Sequence, residues 1–310
     1  MKAVRLHARG DPERMVFEEE PLPRLGPGDA LVRVHAAAIT PTELTWSATW
    51  TTRDGADRLP VVPSHEVSGV VEAVGEHASG VAVGNPVYGL VDFWRDGAAA
   101  EYVAVPAADL APKPPSIDHV HAAAVPLSGL TAWQALLDHA ALSAGQRVLV
   151  HGGAGGVGAF AVQLARWRGA HVVATGSASD RDLLREVGVE DVIDYRTERF
   201  EARVRDVDVV LDTVGGDTLE RSWSVIRPGG VLVTVAAPAP GSMPSRGDVR
   251  GDFFIVQPER DQLIELARLI DAGSLRPIVG GLFPLARARE AYLRAARGHT
   301  RGKVVLRVRD

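Results

Sequence analysis

Val148-Leu149-Val150-His151-Gly152-Gly153-Ala154-Gly155-Gly156-Val157-Gly158 runs on into Ala159-Phe160-Ala161-Val162-Gln163-Leu164-Ala165-Arg166, and the reading of this stretch decides the fold. Val148 to Val150 are a short apolar run of buried-strand type, and Phe160, Val162 and Leu164 belong to the apolar face of a helix. The glycines between them have the spacing of a loop that grips a dinucleotide. On that reading Gly153 makes the tight turn, Gly155 lets the backbone approach a pyrophosphate, and Gly158 lets helix and strand pack closely. Phosphates then rest on free N–H groups at a helix N-terminus, where the dipole favours an anion. Gly153, Ala154, Gly155, Gly156, Val157 and Gly158 are therefore expected to bind cofactor.

Beyond this loop the chain alternates strand and helix: HVVATGS, RDLLREVGV, DVIDY, DVVLDTVGG, LERSWSVIRPGG, VLVTVAA. Such alternation predicts βαβ units and one doubly wound parallel sheet. Before it, Met1 to about Ala111 shows short apolar runs broken by Pro and Gly, as in ALVRVHAAAI and SGVVEAVG, the pattern of a β-rich domain. His119 to Ala141 has helical spacing interrupted by Pro126 and Gly129, which predicts two helices. FFIVQ reads as a strand, RDQLIELARLIDAG and ARAREAYLRAARG as helices, and GKVVLRV as a last strand returning to the β-rich domain. The expected fold class is α/β in two domains: 1–118 with 276–310, and 119–275.

The 310 residues carry a formal net charge of −5 and are 46% hydrophobic. That balance argues against nucleic-acid or membrane-surface partners. The sequence has no cysteine, which excludes disulfides, a thiolate nucleophile and any sulfur-ligated zinc. The N-terminal MKAVRLHARGDPERM has no signal-type apolar core and no stretch reaches membrane-spanning length, so the expected location is the cytoplasm.

The second strand of the alternating region ends Ala174-Thr175-Gly176-Ser177 with no carboxylate at its tip, where NAD-binding chains place an acid on the ribose 2′-hydroxyl. Arg181 follows one turn later and Ser177 can donate to a phosphate oxygen, so NADP(H) is the expected cofactor. Asp180 beside Arg181 can instead cap the next helix, leaving both at a solvated helix start.

VHGGAGGVGAFAVQLAR, GVEDVIDYR, VVLDTVGG and VPSHEVSGVVEAVG together resemble the medium-chain dehydrogenase/reductase superfamily, and more narrowly its zinc-independent quinone oxidoreductase (zeta-crystallin-like) branch. The resemblance covers nearly the whole chain and implies a GroES-like β-rich catalytic domain plus a Rossmann NADP(H)-binding domain. It implies that Tyr195 lies against the adenosine phosphate-ribose and that Val214 and Ala236 border the ribose and nicotinamide. Phe254 and Val256 would offer backbone to the carboxamide, and Thr131 would touch the nicotinamide end. It also implies a homodimer joined through VLVTVAA as a sheet edge.

The zinc alcohol dehydrogenases of this superfamily bind metal through Cys and a His-Glu pair; here His65-Glu66 remains but Thr40 stands at the first Cys position. One histidine with a nearby Glu66 falls short of three protein ligands, so no metal is expected and His65 reads as a structural or pocket-lining residue. Without a Lewis acid, a quinone or an α,β-unsaturated carbonyl is the easier hydride acceptor, because the charge it gains is spread by resonance. Catalysis then rests on positioning, with Thr40 and Thr131 as the expected polar contacts. Trp46, Trp50, His65, Phe93 and Trp94 are the candidate acceptor pocket; a four-residue spacing on a helix would put both Trp46 and Trp50 on one face. Two alternatives share these residues: a dedicated enoyl-thioester or biosynthetic enone reductase, and an NADPH-binding structural or sensory protein.

Overall fold

The computed structural model describes residues 1–236, 243 and 245–309. In chain order the first strands are β1 (Lys2–Leu6), β2 (Met15–Glu19), β3 (Asp29–Ile39), β4 (Glu66–Val74), β5 (Pro86–Leu90), β6 (Tyr102–Pro106) and β7 (Leu110–Pro112). They are followed by β8 (Arg147–Val150), β9 (His171–Gly176), β10 (Asp191–Asp194), β11 (Val207–Asp212), β12 (Ile226–Thr234), β13 (Arg250–Phe253), β14 (Val279–Pro284) and β15 (Lys303–Arg307). The helices are α1 (Ser47–Trp50), α2 (His119–Ala123), α3 (Pro126–Trp133), α4 (Gly156–Trp167), α5 (Arg181–Glu186), α6 (Gly216–Ser222), α7 (Arg260–Asp271) and α8 (Ala288–Ala296). No helix among the described residues is long and apolar enough to cross a membrane.

One unit comprises Met1–Leu127, Pro258–Gly273 and Pro277–Asp310. Its larger sheet runs β14-β15-β3-β4-β5-β7, with β6 also pairing β3. β3 is the central strand, and its AAAI end is buried on both faces. Ala36 and Ala38 are small enough for α2 to pack directly on the sheet, and they form a cluster with Ala123, Ala124 and Val305. On the other side of the sheet alternating valines, among them Val32, Val34, Val67, Val71, Val87 and Val103, make a second core. β4 opens with four consecutive buried residues, Glu66 to Gly69, and β5 closes with four, Val87 to Leu90, as expected where a sheet is covered on both faces.

The other unit is Ser128–Gln257 with Ser274–Arg276. Its sheet runs β10-β9-β8-β11-β12-β13, all neighbours parallel. From β8 the chain goes to β9 on one side and later to β11 on the other, so the order reverses at the C-terminal end of β8. Ligands of doubly wound sheets bind at such a switch point, and the glycine loop leaves the sheet there.

Several details differ from the expectation. The break in 119–141 falls at Pro126 alone, which starts α3; Gly129 stays helical, and the helix continues through Gln134–His139 with π-type winding. The last strand of the parallel sheet is Arg250–Phe253, and FFIVQ is mostly irregular. β12 therefore carries β13 on its outer side, so the described part of VLVTVAA, Val231 to Ala236, does not form the sheet edge. The unit boundary lies at Leu127, not 118, and α7 belongs with the β-rich unit, where Tyr88 Oη donates to the Leu263 carbonyl at 2.5 Å.

Candidate active site

Gly152 holds the left-handed conformation at φ 70°, so the tight turn of the loop falls there and not at Gly153. Gly153 is required for packing: a Cβ on it would stand 2.8 Å from Ala174 Cβ. The Gly152 and Gly153 amides donate to Thr175 Oγ1 and Thr175 O at 3.1 and 2.9 Å, which ties the loop to the end of β9. Gly155 caps α4, whose first backbone bond runs from Ala159 N–H to Gly155 O. The amides of Gly156, Val157 and Gly158 precede that bond and form the helix's donor-rich end. A Cβ on Gly155 would meet only Gly152 O, at 3.3 Å, so protein packing leaves this face open to a ligand. The loop thus fits a dinucleotide pyrophosphate.

His151, which sequence reasoning passed over, braces the loop from behind. It is fully buried, with Nδ1 3.3 Å from Thr175 Oγ1 and Nε2 3.0 Å from Ser222 Oγ. Burial lowers its pKa to about 4, so it stays neutral.

At the tips of β9 and β10, Ser177 is buried, and its amide and hydroxyl both donate to the Asp180 carboxylate. This capping arrangement takes the hydroxyl that was expected for a phosphate, because Asp180 lies within one turn and satisfies the helix start first. Arg181 begins α5 and is half-buried. Tyr195 is half exposed, its amide bonded to Gly176 O at 3.2 Å, and the Arg196 guanidinium lies 5.8 Å from its ring. Arg196 is thus a cation beside the strand tips that the sequence reading omitted.

The ends of β11 and β12 are tied by one buried carboxylate. Asp212 accepts the amides of Val214 and Gly215 and the Thr234 hydroxyl, the last at 2.8 Å. Val214 is consequently presented outward, 55% exposed, and Ala236 N–H is held by Thr234 Oγ1 at 3.1 Å. Phe254 stacks on His139 with centroids 4.2 Å apart, and Val256 is buried. Gln134 exchanges two hydrogen bonds with Gln257, so the π-wound segment pins both ends of 254–257. Thr131 is buried in α3.

In the β-rich unit the strand register assembles a polar group. Ala38 pairs with Glu66 and Ile39 with Val304, which puts Glu66, Thr40 and Lys303 at the adjoining ends of β4, β3 and β15. Lys303 Nζ donates to Thr40 Oγ1 at 2.8 Å and forms an ion pair with Glu66, whose Oε1 accepts the Leu127 amide at 3.0 Å. Glu43, also buried, takes the Tyr292 hydroxyl and the Ser64 amide. Burial raises the Glu43 pKa to about 7 against the pull of Tyr292, Ser64 and Lys303. His65 Nε2 lies 3.5 Å from Glu43 Oε2, and burial, aided by Arg58, lowers the His65 pKa to about 3. Among the described residues no three His, Asp or Glu side chains are grouped to hold a metal. Lys303 sets an ammonium on the Thr40 hydroxyl.

The candidate aromatics divide. Phe93 meets His65 and Trp46 edge-on, with ring centroids 5.3 and 5.0 Å away, and these three form an apolar wall. Trp50 is apart: it is buried in the core, and its Nε1 donates to Leu44 O at 3.0 Å. α1 is one turn with Trp46 as its cap, so the two indoles do not share a helix face. Trp94 lines a separate groove of about 570 Å³ with Arg5, Arg24 and Arg58.

Models of two families match the chain: the alcohol dehydrogenase GroES-like domain over residues 26–115 and the zinc-binding dehydrogenase over residues 187–306. The chain is 30% identical to the NAD(P)H oxidoreductase RTN4IP1, mitochondrial, of Danio rerio, over 92% of this chain and 84% of that one. It is 34% identical to the NADPH-dependent alkenal/one oxidoreductase, chloroplastic, of Arabidopsis thaliana, over 92% and 73%. A solved quinone oxidoreductase from Coxiella burnetii superposes with a TM-score of 0.91 at 31% identity, covering 100% of this chain and 99% of that one. The chain belongs to the medium-chain dehydrogenase/reductase superfamily, among its quinone oxidoreductase-like members.

Proposed function

We propose that the chain is a zinc-independent, NADPH-dependent reductase of quinones or α,β-unsaturated carbonyl compounds. The observation that carries this reading is the glycine loop at the switch point, with Gly155 open and the first amides of α4 ahead of its first helical bond. Those amides would hold the pyrophosphate, and Tyr195, Arg196 and Arg181 would flank the adenosine phosphate. Bound there, NADPH supplies the hydride. The names of two relatives, an alkenal/one oxidoreductase and a quinone oxidoreductase, support an acceptor activated by conjugation. The His65–Phe93–Trp46 wall supplies an apolar surface for a planar acceptor. Thr40 and Thr131 would make the polar contacts, Thr131 at the nicotinamide end. A homodimer, if paired through the parallel sheet, would use β13, the outermost strand, as its edge.

The test is a steady-state screen of NADPH and NADH against quinones, enones and enoyl thioesters, with and without a chelator. Turnover with NADPH preferred and unaffected by chelator is expected. Activity confined to saturated alcohols with added zinc would overturn the proposal.

A further inference from the structure

Lys303 and Glu66 are both almost fully buried, with side-chain exposures of 7% and 1%. A buried ion pair is weak as a stabilising device, because the desolvation of two charges offsets most of their attraction. What this pair does achieve is directional. Lys303 Nζ is the donor to Thr40 Oγ1, so an oxygen lone pair of Thr40 is occupied and its hydroxyl hydrogen is the group left to donate onward. Thr40 is itself only half-buried, at the end of β3, whereas Lys303 and Glu66 lie behind it. The ammonium is fixed by Glu66, and Glu66 is fixed by the Leu127 amide.

We propose that Thr40 is the hydrogen-bond donor to the acceptor's carbonyl oxygen and that Lys303, held by Glu66, is the positioning residue that polarises it; this rests on the reductase reading above. In an enone, hydride arrives at the β-carbon, the C=C π pair shifts to the adjoining bond, and the carbonyl pair moves onto oxygen. The Thr40 hydroxyl meets that oxygen as its charge develops, and Lys303 places a full positive charge one hydrogen bond behind it. A proton from water then adds at the α-carbon, so that enone, NADPH and one proton give the saturated carbonyl and NADP⁺. The arrangement takes the part that a metal plays in other carbonyl chemistry, with a preorganised donor aimed at the developing charge.

Thr40→Val, Thr40→Ser and Lys303→Met variants test it, the last combined with Glu66→Gln so that no buried charge is stranded. Thr40→Val and the Lys303 variant should each lower kcat for an enone about 100-fold with little change in KM, the usual scale for losing one such donor. Thr40→Ser should retain activity, and adding the Lys303 change to Thr40→Val should cost no more than Thr40→Val alone. An independent readout needs no turnover: 4-nitrophenol, whose ionised form mimics the oxyanion and differs in absorbance from the neutral one. The wild-type protein should bind the ionised form preferentially, and the Thr40→Val and Lys303 variants should not. Equal preference in all of them, or no binding of the ionised form by the wild type, overturns the proposal. If the wild type reduces no acceptor, the reductase reading falls, while the nitrophenol titration still decides whether Thr40 and Lys303 form an oxyanion donor.

Discussion

The carbonyl oxygen of Gly152 lies 2.2 Å from the point where a Cβ on Gly158 would stand. Backbone meets backbone there, and neither can yield without moving α4 or β8. Gly158→Ala should therefore cost at least about 1–3 kcal/mol, the usual scale for overpacking, and weaken dinucleotide binding with it. Gly155→Ala is the contrasting change, because its Cβ would meet only Gly152 O at 3.3 Å. It should melt near the wild type yet lose about tenfold in NADPH affinity, about 1.4 kcal/mol, in a fluorescence titration. Equal losses of stability in both variants would contradict the separation of roles.

Asp212 satisfies two amides and a hydroxyl with one carboxylate, and it is fully buried. Asp212→Ala strands these donors, at about 1–3 kcal/mol for each one left unsatisfied. Urea unfolding should show a loss of several kcal/mol for Ala and a smaller one for Asn. NADPH affinity should fall in parallel, since Val214 and Ala236 lose their support.

The two tryptophans of LTWSATW should behave differently. Trp50→Ala empties a core position and should destabilise by about 3–5 kcal/mol. Trp46→Phe leaves the core intact and keeps a ring against Phe93, so its effect should appear as a raised KM for the acceptor with an unchanged melting temperature.

Stability should fall in acid with a defined shape. His65 and His151 have folded pKa values of about 3 and about 4, below their ordinary 6.5. Between 6.5 and those values the unfolded chain takes up protons that the folded chain refuses. Each histidine therefore removes about 1.4 kcal/mol per pH unit as pH falls below 6.5. Glu43 acts with the opposite sign: its pKa is raised from 4.5 to about 7, so the stability it contributes at low pH is lost as pH rises from 4.5 to 7. Urea titrations across that window should show Glu43→Gln losing stability more steeply on acidification than the wild type. A shallower slope in Glu43→Gln would contradict this assignment.

The parallel sheet and its loop were legible because their signals are local. Strand, glycines and helix follow one another within nineteen residues, Val148 to Arg166, and close packing requires a glycine at 153 and at 158. Even so, the left-handed position is Gly152, which spacing alone does not separate from Gly153. At Ser177 a carboxylate three residues away competes for the hydroxyl, which a strand-tip reading does not weigh. The Thr40–Lys303 bond joins residues 263 apart in sequence, and only the register of β15 on β3 brings them together. GKVVL reads as an ordinary strand until that register is known. Arg250–Phe253 escaped notice because it is an edge strand with little buried apolar surface.

The central claim is that NADPH bound at the glycine loop delivers hydride directly to a conjugated acceptor. NADPH deuterated at the transferring nicotinamide carbon, turned over with an α,β-unsaturated ketone in ordinary water, tests it by NMR of the product. The account predicts one deuterium at the β-carbon and a solvent-derived hydrogen at the α-carbon. Deuterium at the carbonyl carbon, or none in the product, would contradict it.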